Sequence, residues 1–142
     1  MSFRFNAAGL AALKRQLGIV ALAGAEGAVE PLQEKLTGAG TGRKYAALPN
    51  RSSAQGEYPA EQSGALRESI AAAEAGEMRA QFGPINNPPE YVEALHFKPP
   101  SDGGRPFMDD ALQDRDIRAA VVEGVKNEAA HQFGQVTVRR RG

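Results

Sequence analysis

The chain has 142 residues, enough for one domain that buries roughly two thirds of the surface its unfolded chain exposes, and too few for a second core. Its 17 basic and 17 acidic side chains balance, so no overall field draws it to nucleic acid or to an acidic membrane. The absence of cysteine excludes disulfides, thiolate nucleophiles and thiolate metal sites.

The first predicted element is a helix from about Ala7 to Leu36, with Asn6 as its N-cap. Apolar residues recur along it at helical spacing: Leu10, Leu13, Leu17, Val20, Gly24, Leu32 and Leu36. Three interior glycines and a proline weaken this helix. We therefore expect a kink or a break between Gly24 and Pro31.

The apolar run from Leu17 to Ala25 follows Arg4, Lys14 and Arg15, a superficial match to a secretory leader. The helical spacing of leucines begins before the run, however, which favours a helix of the folded domain. The run is also shorter than the ~20 residues that a membrane span requires. We expect a soluble protein that does not enter a membrane.

A long loop is predicted for residues 37–64, which are rich in Gly, Ser, Pro and polar side chains. Loops of this length are uncommon inside domains and are usually functional or disordered. We expect its amides to exchange quickly in the free chain and to be protected in an assembly. A β-hairpin follows, with strands Leu66–Glu74 and Met78–Phe82 around residues 75–77.

Two helices are predicted in the remainder of the chain. A short one opens at Glu90, where Tyr91 and Leu95 are spaced i, i+4, and a long one runs from about Phe107 to Phe133 with acidic residues in its first turn. One apolar stripe of the long helix is assigned to the core: Met108, Ala111, Leu112, Ala119, Val122, Val125, Ala129 and Phe133.

A second apolar patch, at least about 140° away on the helical wheel, is formed by Ile117, Ala120, Val121 and Gly124. Either the helix is sandwiched within its own domain or this patch faces another subunit, because exposed apolar patches mark interfaces. Under the second interpretation, Val121→Asp leaves the chain folded and blocks assembly.

Together these elements predict an α+β fold, in which long N- and C-terminal helices pack on a small antiparallel sheet with long loops. The domain is divided into a kinked helix (1–36), a loop (37–64), the hairpin with the short helix (65–106), the last helix (107–134) and a basic tail (135–142). In the tail, Val136 and Val138 alternate with polar residues and could add a strand to a neighbour's sheet edge.

No motif indicates catalysis or a cofactor. The glycine-rich segment 38–45 superficially matches a phosphate loop, but Arg43 and Tyr45 flank Lys44 where that motif needs Gly and Ser or Thr. His96 and His131 lack zinc spacing, and the acids of residues 109–116 lack the pattern of a calcium loop. No serine lies in a nucleophile elbow. We predict a non-enzyme without cofactor or metal.

Several stretches together resemble one family, the tail-completion and minor tail proteins of long-tailed bacteriophages. Residues 53–60 (SAQGEYPA) are similar to the family's S-A-P-G-E-x-P-A loop, and residues 63–70 (SGALRESI) to T-G-x-L-R-x-S-I. A hairpin ending in Phe82-Gly83 stands where the family has V-G. Residues 91–97 (YVEALHF) resemble Y-x-x-x-L-E-F, and residues 105–112 (RPFMDDAL) resemble R-P-F-M-x-P-A-L.

This chain departs from the family pattern at Gln55 and Asp110, which replace prolines, and at His96, which replaces a frequent Glu. The resemblance covers about residues 40–115. It implies a subunit of a closed ring of about six copies in the phage neck or upper tail, assembled in the host cytoplasm. Implied partners are a tail-tube or tail-terminator protein and the head connector proteins, with genomic DNA passing through the lumen.

The residues expected at the subunit interface are Ile117, Ala120, Val121, Gly124, Glu57, Tyr58, Pro59, Val136 and Val138. Those expected to contact DNA or line the lumen are Arg43, Lys44, Arg139, Arg140 and Arg141. The same basic residues support an alternative function, a nucleic-acid-binding accessory factor, which salt-dependent DNA binding would favour. A hydrolase is a third alternative, which a deep pocket with converging titratable groups would favour.

Overall fold

The structure, a computed structural model, describes residues 6–134. In chain order, its elements are α1 (Ala7–Lys35), α2 (Ala65–Ser69), β1 (Ile70–Gly76), β2 (Arg79–Pro84), α3 (Val92–Phe97), a 3-10 turn (Pro100–Asp102), α4 (Phe107–Gln113) and α5 (Arg115–Phe133). The predicted α+β class is confirmed, since two long helices accompany a two-stranded antiparallel sheet.

Helix α1 begins where the sequence predicted. Oδ1 of Asn6 accepts hydrogen bonds from the amides of Ala8 (3.0 Å) and Gly9 (3.4 Å), so it satisfies donors that have no partner within the helix. The helix then continues to Lys35 with Pro31 inside it. The break expected before Pro31 is therefore absent, because packing outweighs the local preferences of glycine and proline.

That packing is a close contact between α1 and α5. A Cβ atom on Gly27 would lie 2.6 Å from the carbonyl oxygen of Ala120, and one on Gly124 would lie 2.5 Å from the carbonyl oxygen of Ala23. A Cβ on Gly24 would lie 2.7 Å from Cγ2 of Val125. No side chain fits at these distances, so the glycines allow the two helices to approach rather than interrupting α1.

The long C-terminal helix predicted over residues 107–133 is in fact two helices, α4 and α5, separated at Asp114. Asp114 has extended backbone angles (φ −70°, ψ 126°), and its Oδ1 accepts hydrogen bonds from the amides of Asp116 (2.9 Å) and Ile117 (3.3 Å). Aspartate is a strong N-cap residue, and here it starts a new helix. The apolar pattern read across 107–133 therefore does not belong to one helical wheel.

The faces predicted for the C-terminal region are largely reversed, because α5 packs on α1 through the residues near Gly24 and Gly27. Ile117 is 1% exposed and lies in the core, and Ala120, Val121 and Gly124 pack on α1 around Gly24 and Gly27. Of the residues assigned to the core, Ala111 is buried and Met108 packs against the core, but Leu112, Val122 and Phe133 are 56%, 49% and 41% exposed. The prediction that Ile117, Ala120, Val121 and Gly124 form a subunit interface is wrong for this reason.

The predicted β-hairpin is present, with Ile70 opposite Pro84 and Ala72 opposite Phe82. A bulge lies between Glu74 and Gly76, before the turn. Residues 65–69, which were mostly expected in the first strand, instead form α2, because Leu66 and Ile70 both turn into the core at helical spacing.

The core surrounds the C-terminal half of α1. It contains Ala28, Leu32, Leu36, Leu66, Ile70, Phe107, Ala111 and Ile117. The N-terminal half of α1 lies beyond this core, and its residues Leu10, Leu13 and Leu17 are 42%, 42% and 39% exposed. The domain therefore has a well-packed end and a thin end.

Helix α1 extends well beyond the apolar run Leu17–Ala25, which by itself is too short to span a membrane. At 29 residues, it is long and apolar enough to cross a membrane by length and composition, a property shared by core helices of soluble proteins and by signal sequences. In this structure it packs along α5 and across the hairpin, with Ala28 and Leu32 fully buried.

Candidate functional site

A cleft of about 710 Å³ lies between the loop 37–64, α2, α3 and the segment before α4. Its volume is in the range of small-molecule sites. Apolar side chains line much of it: Tyr45, Leu48, Pro59, Leu66, Tyr91 and Leu95. Two arginines, Arg43 and Arg105, contribute the charge, and no Asp, Glu, Lys or His lies in the lining.

The loop that forms one wall contains no helix or strand, as predicted, but it is paired with itself. The amide of Gly40 donates to the carbonyl of Arg51 (2.8 Å), that of Gly42 to Ser52 (2.7 Å), and that of Ser52 to Arg43 (3.0 Å). A Cβ on Gly42 would lie 2.7 Å from the carbonyl oxygen of Ser53. Close backbone pairing therefore accounts for the glycines that superficially match a phosphate loop.

This pairing changes the expectation for amide exchange. We predict slow exchange at Gly40, Gly42 and Ser52 in the isolated chain, since each donates a loop hydrogen bond, and fast exchange at Ala46 and Ala47, which are exposed and donate none within the described chain. Hydrogen exchange followed by NMR tests this residue by residue. Uniformly fast exchange over 38–64 would show that the loop is not paired in solution.

Three loop residues expected at a subunit interface are engaged inside the chain. Glu57 accepts hydrogen bonds from the Thr41 hydroxyl and from the amides of Ala54 (2.8 Å) and Thr41 (3.1 Å), which together lower the pKa of its carboxyl group. The Tyr58 hydroxyl donates to Oδ2 of Asp114 (2.9 Å), and Pro59 is buried. Glu57 and Tyr58 thus hold the loop on the domain and Pro59 lines the cleft, and the expectation that the three lie at a subunit interface stays a prediction.

Asp114 is the point where the loop, α1 and α5 are joined. Besides capping α5 and binding Tyr58, its Oδ2 lies 3.5 Å from Nζ of Lys35. Burial alone would raise the pKa of Asp114, but the hydrogen bonds from Tyr58 and from the α5 amides, with the charge of Lys35, lower it on balance. The carboxylate is therefore ionised at neutral pH and anchors the loop.

Arg105 anchors the other side of the cleft, although no site motif of the sequence includes it. It is 9% exposed. Its guanidinium group donates to the Ser53 hydroxyl (3.0 Å), the Ser53 carbonyl (2.8 Å), the Gly104 carbonyl (2.6 Å) and the Pro100 carbonyl (3.5 Å). All four acceptors are neutral. The carboxylate of Glu57, whose pKa the positive charge of Arg105 helps to lower, lies nearby but outside the cleft lining, so the lining itself carries positive charge only.

The basic pair expected to contact DNA is separated by the structure. The guanidinium of Arg43 lies 5.0 Å from the ring centroid of Tyr45, at the cleft. Lys44 folds back, and its Nζ donates to the carbonyls of Leu48 and Pro49, the latter at 3.1 Å. Val136, Val138, Arg139, Arg140 and Arg141, also expected at contacts, lie outside the described residues.

The cleft is equipped for binding rather than for acid–base chemistry. Burial raises the pKa of Tyr91, which lines the cleft, so this phenol keeps its proton at neutral pH. His96 lies outside the lining, edge-on to Phe107 with centroids 5.6 Å apart. Within residues 6–134, no group of three His, Asp or Glu side chains is placed to hold a metal ion.

The segments that carry the phage resemblance meet in this structure. Arg105, from the segment 105–112, binds Ser53 from the segment 53–60, and Phe107 shares the core with Leu66 and Ile70 from the segment 63–70. These motif residues thus build the cleft wall and the core. The resemblance rests on the sequence motifs alone, since comparison of the chain with protein-family models, curated proteins and solved structures found no match.

Proposed function

We propose that the chain is a structural subunit of the neck or upper tail of a tailed bacteriophage, forming a ring of about six copies that completes the tail and helps to join it to the head. Its partners would be a tail-tube or tail-terminator protein and head connector proteins, and DNA would pass through the lumen. The order of the five family-like segments is the sequence support for this proposal.

The structural observation that carries the proposal is the exposure of large apolar side chains on two separate surfaces. One is the thin end of α1, with Leu10, Leu13 and Leu17 each about two fifths exposed. The other lies at α3 and α4, where Phe97 is 74% and Leu112 56% exposed. Apolar patches of this kind mark protein contacts, and a cyclic ring requires two different faces on each subunit.

The two surfaces are far apart along the molecule. Helix α1 has 29 residues, which corresponds to about 43 Å at 1.5 Å per residue. The leucines lie near its start, whereas Val92, Leu95 and Phe107 belong to or pack against the core, which includes Leu32 and Leu36 near its end. A subunit of this shape has room for neighbours in a ring and for a further protein at the thin end.

The chemistry of the cleft supports this structural function over the hydrolase alternative. A hydrolase of the acid–base type needs a titratable group near neutral pH within hydrogen-bond reach of its substrate. The lining of the cleft has arginines and tyrosines in place of such groups.

Static light scattering of the purified chain tests the proposal. We expect a mass of several copies, either alone at increasing concentration or after addition of tail-tube or head-connector subunits. A strict monomer in every mixture would contradict a ring component. Salt-dependent binding of DNA by such a monomer would favour the nucleic-acid accessory factor instead.

A further inference from the structure

We propose that the cleft of one copy receives an acidic apolar knob from the next copy, formed by Phe97, Asp109 and Leu112. This inference rests on the proposed ring and identifies the contact between neighbouring subunits. It commits to a second copy of this chain as the occupant, for reasons of charge, shape and position.

The cleft requires an apolar partner that carries a negative charge. Its lining has two guanidinium groups and no carboxylate. Arg105 is only 9% exposed, and its neutral acceptors use four of the five guanidinium N–H groups, so one donor stays open. Glu57 interacts with Arg105 from outside the lining, and a carboxylate that enters the cleft would add a charge-assisted hydrogen bond from the open donor.

The knob has the complementary composition. Phe97 is 74% exposed, more than any other large apolar side chain of the described chain. The side chain of Asp109 is 74% exposed, and Leu112 lies on the same face of α4 at i+3. His96 connects these groups, since its ring centroid is 4.7 Å from that of Phe97 and its Nε2 is 3.9 Å from Oδ1 of Asp109. An aromatic or aliphatic side chain that fills a pocket of the partner is a typical interface anchor.

The position of α3 makes the contact head-to-tail. Tyr91 and Leu95 line the cleft, whereas Phe97 follows Leu95 by two residues and so points about 200° away around the helix axis. Cleft and knob therefore lie on opposite sides of α3, and one chain cannot fill its own cleft with its own knob. Repetition of such a heterologous contact closes a ring when the rotation permits.

The other exposed apolar surface fits the cleft less well. Leu10, Leu13 and Leu17 are accompanied by Lys14 and Arg15. Lys14 is paired with Glu77 (3.5 Å), but Arg15 would face Arg43 and Arg105, and like charges across an interface are unfavourable. The knob has a basic neighbour too, Lys98, but it also offers the exposed carboxylate of Asp109. The thin end of α1 is therefore left for a different protein.

Crosslinking through introduced cysteines provides the test, because the chain contains no cysteine of its own that would react. Ala47→Cys places a thiol beside the cleft, next to Leu48, and Lys98→Cys places one beside Phe97; both positions are exposed. In the assembled protein, the double variant treated with a short bis-maleimide should give a ladder of covalent multimers. Each single variant should give no ladder. Addition of Phe97→Ser should abolish it, whereas the matched exposed control Val122→Ser should not.

A charge exchange separates a specific contact from general stickiness. Arg43→Glu should raise the apparent dissociation constant of self-association by about tenfold or more, and Arg43→Glu combined with Asp109→Arg should restore most of it. An assembly that forms normally with Arg43→Glu and Phe97→Ser would overturn this contact while leaving the proposed ring intact. A monomer under all conditions would overturn both the contact and the ring. If Arg43→Glu weakened the binding of added DNA and left self-association unchanged, phosphate would be the occupant of the cleft and the contact would be overturned.

Discussion

Val121→Asp is expected to destabilise the chain by about 3 kcal/mol or more, because it places an unpaired carboxylate in the contact between α1 and α5. Val121 faces Gly24 of α1: a Cβ atom added to Gly24 would lie 3.5 Å from Cγ1 of Val121. The matched control is Val122→Asp, at the next position, which is 49% exposed and should change stability by within about 0.5 kcal/mol. Urea unfolding followed by circular dichroism measures both.

This result would distinguish the two interpretations of the apolar patch on α5. If Val121→Asp folded like the parent chain and failed only to assemble, the patch would be a subunit interface and α1 would not lie on it. Destabilisation by Val121→Asp together with tolerance of Val122→Asp would instead place the interface elsewhere. The exposed surface at Phe97 and Leu112 would then be the first candidate.

Gly27→Ala is expected to lower stability by roughly 1–3 kcal/mol, although alanine in a helix is ordinarily more favourable than glycine by about 1 kcal/mol. The new methyl group would lie 2.6 Å from the carbonyl oxygen of Ala120, so the two helices would have to separate. Gly18→Ala in the same helix is the control, since its nearest neighbour is the amide nitrogen of Met78 at 3.9 Å.

The two alanine variants should therefore shift the melting temperature in opposite directions, by a few degrees each, because Gly18→Ala gains helix propensity at no steric cost. Differential scanning calorimetry is suited to this comparison. Equal stabilisation by both substitutions would mean that α1 and α5 do not approach closely. The separation of the helices, if it occurs, should also weaken assembly, since it moves the elements that carry the knob.

The sequence by itself determined the elements that depend on near neighbours. Asn6 starts α1 because its side chain reaches amides two and three residues away, and the alternation of residues 78–82 indicates the second strand of the hairpin. The spacing of Tyr91 and Leu95 indicates α3, and the composition of 37–64 indicates the loop. Together these local signals were sufficient for the α+β class.

Only the tertiary structure decided which faces are buried and where the cleft lies. The glycines of α1, which locally predict a break in the helix, are the residues that let α5 approach. Asp114 divides into two helices a segment whose apolar periodicity predicts one. Two long-range hydrogen bonds hold the loop: Arg105 donates to Ser53, 52 positions away in sequence, and Tyr58 donates to Asp114, 56 positions away. Such pairings depend on how distant segments pack, and the periodicity of a single segment carries no information about its partner.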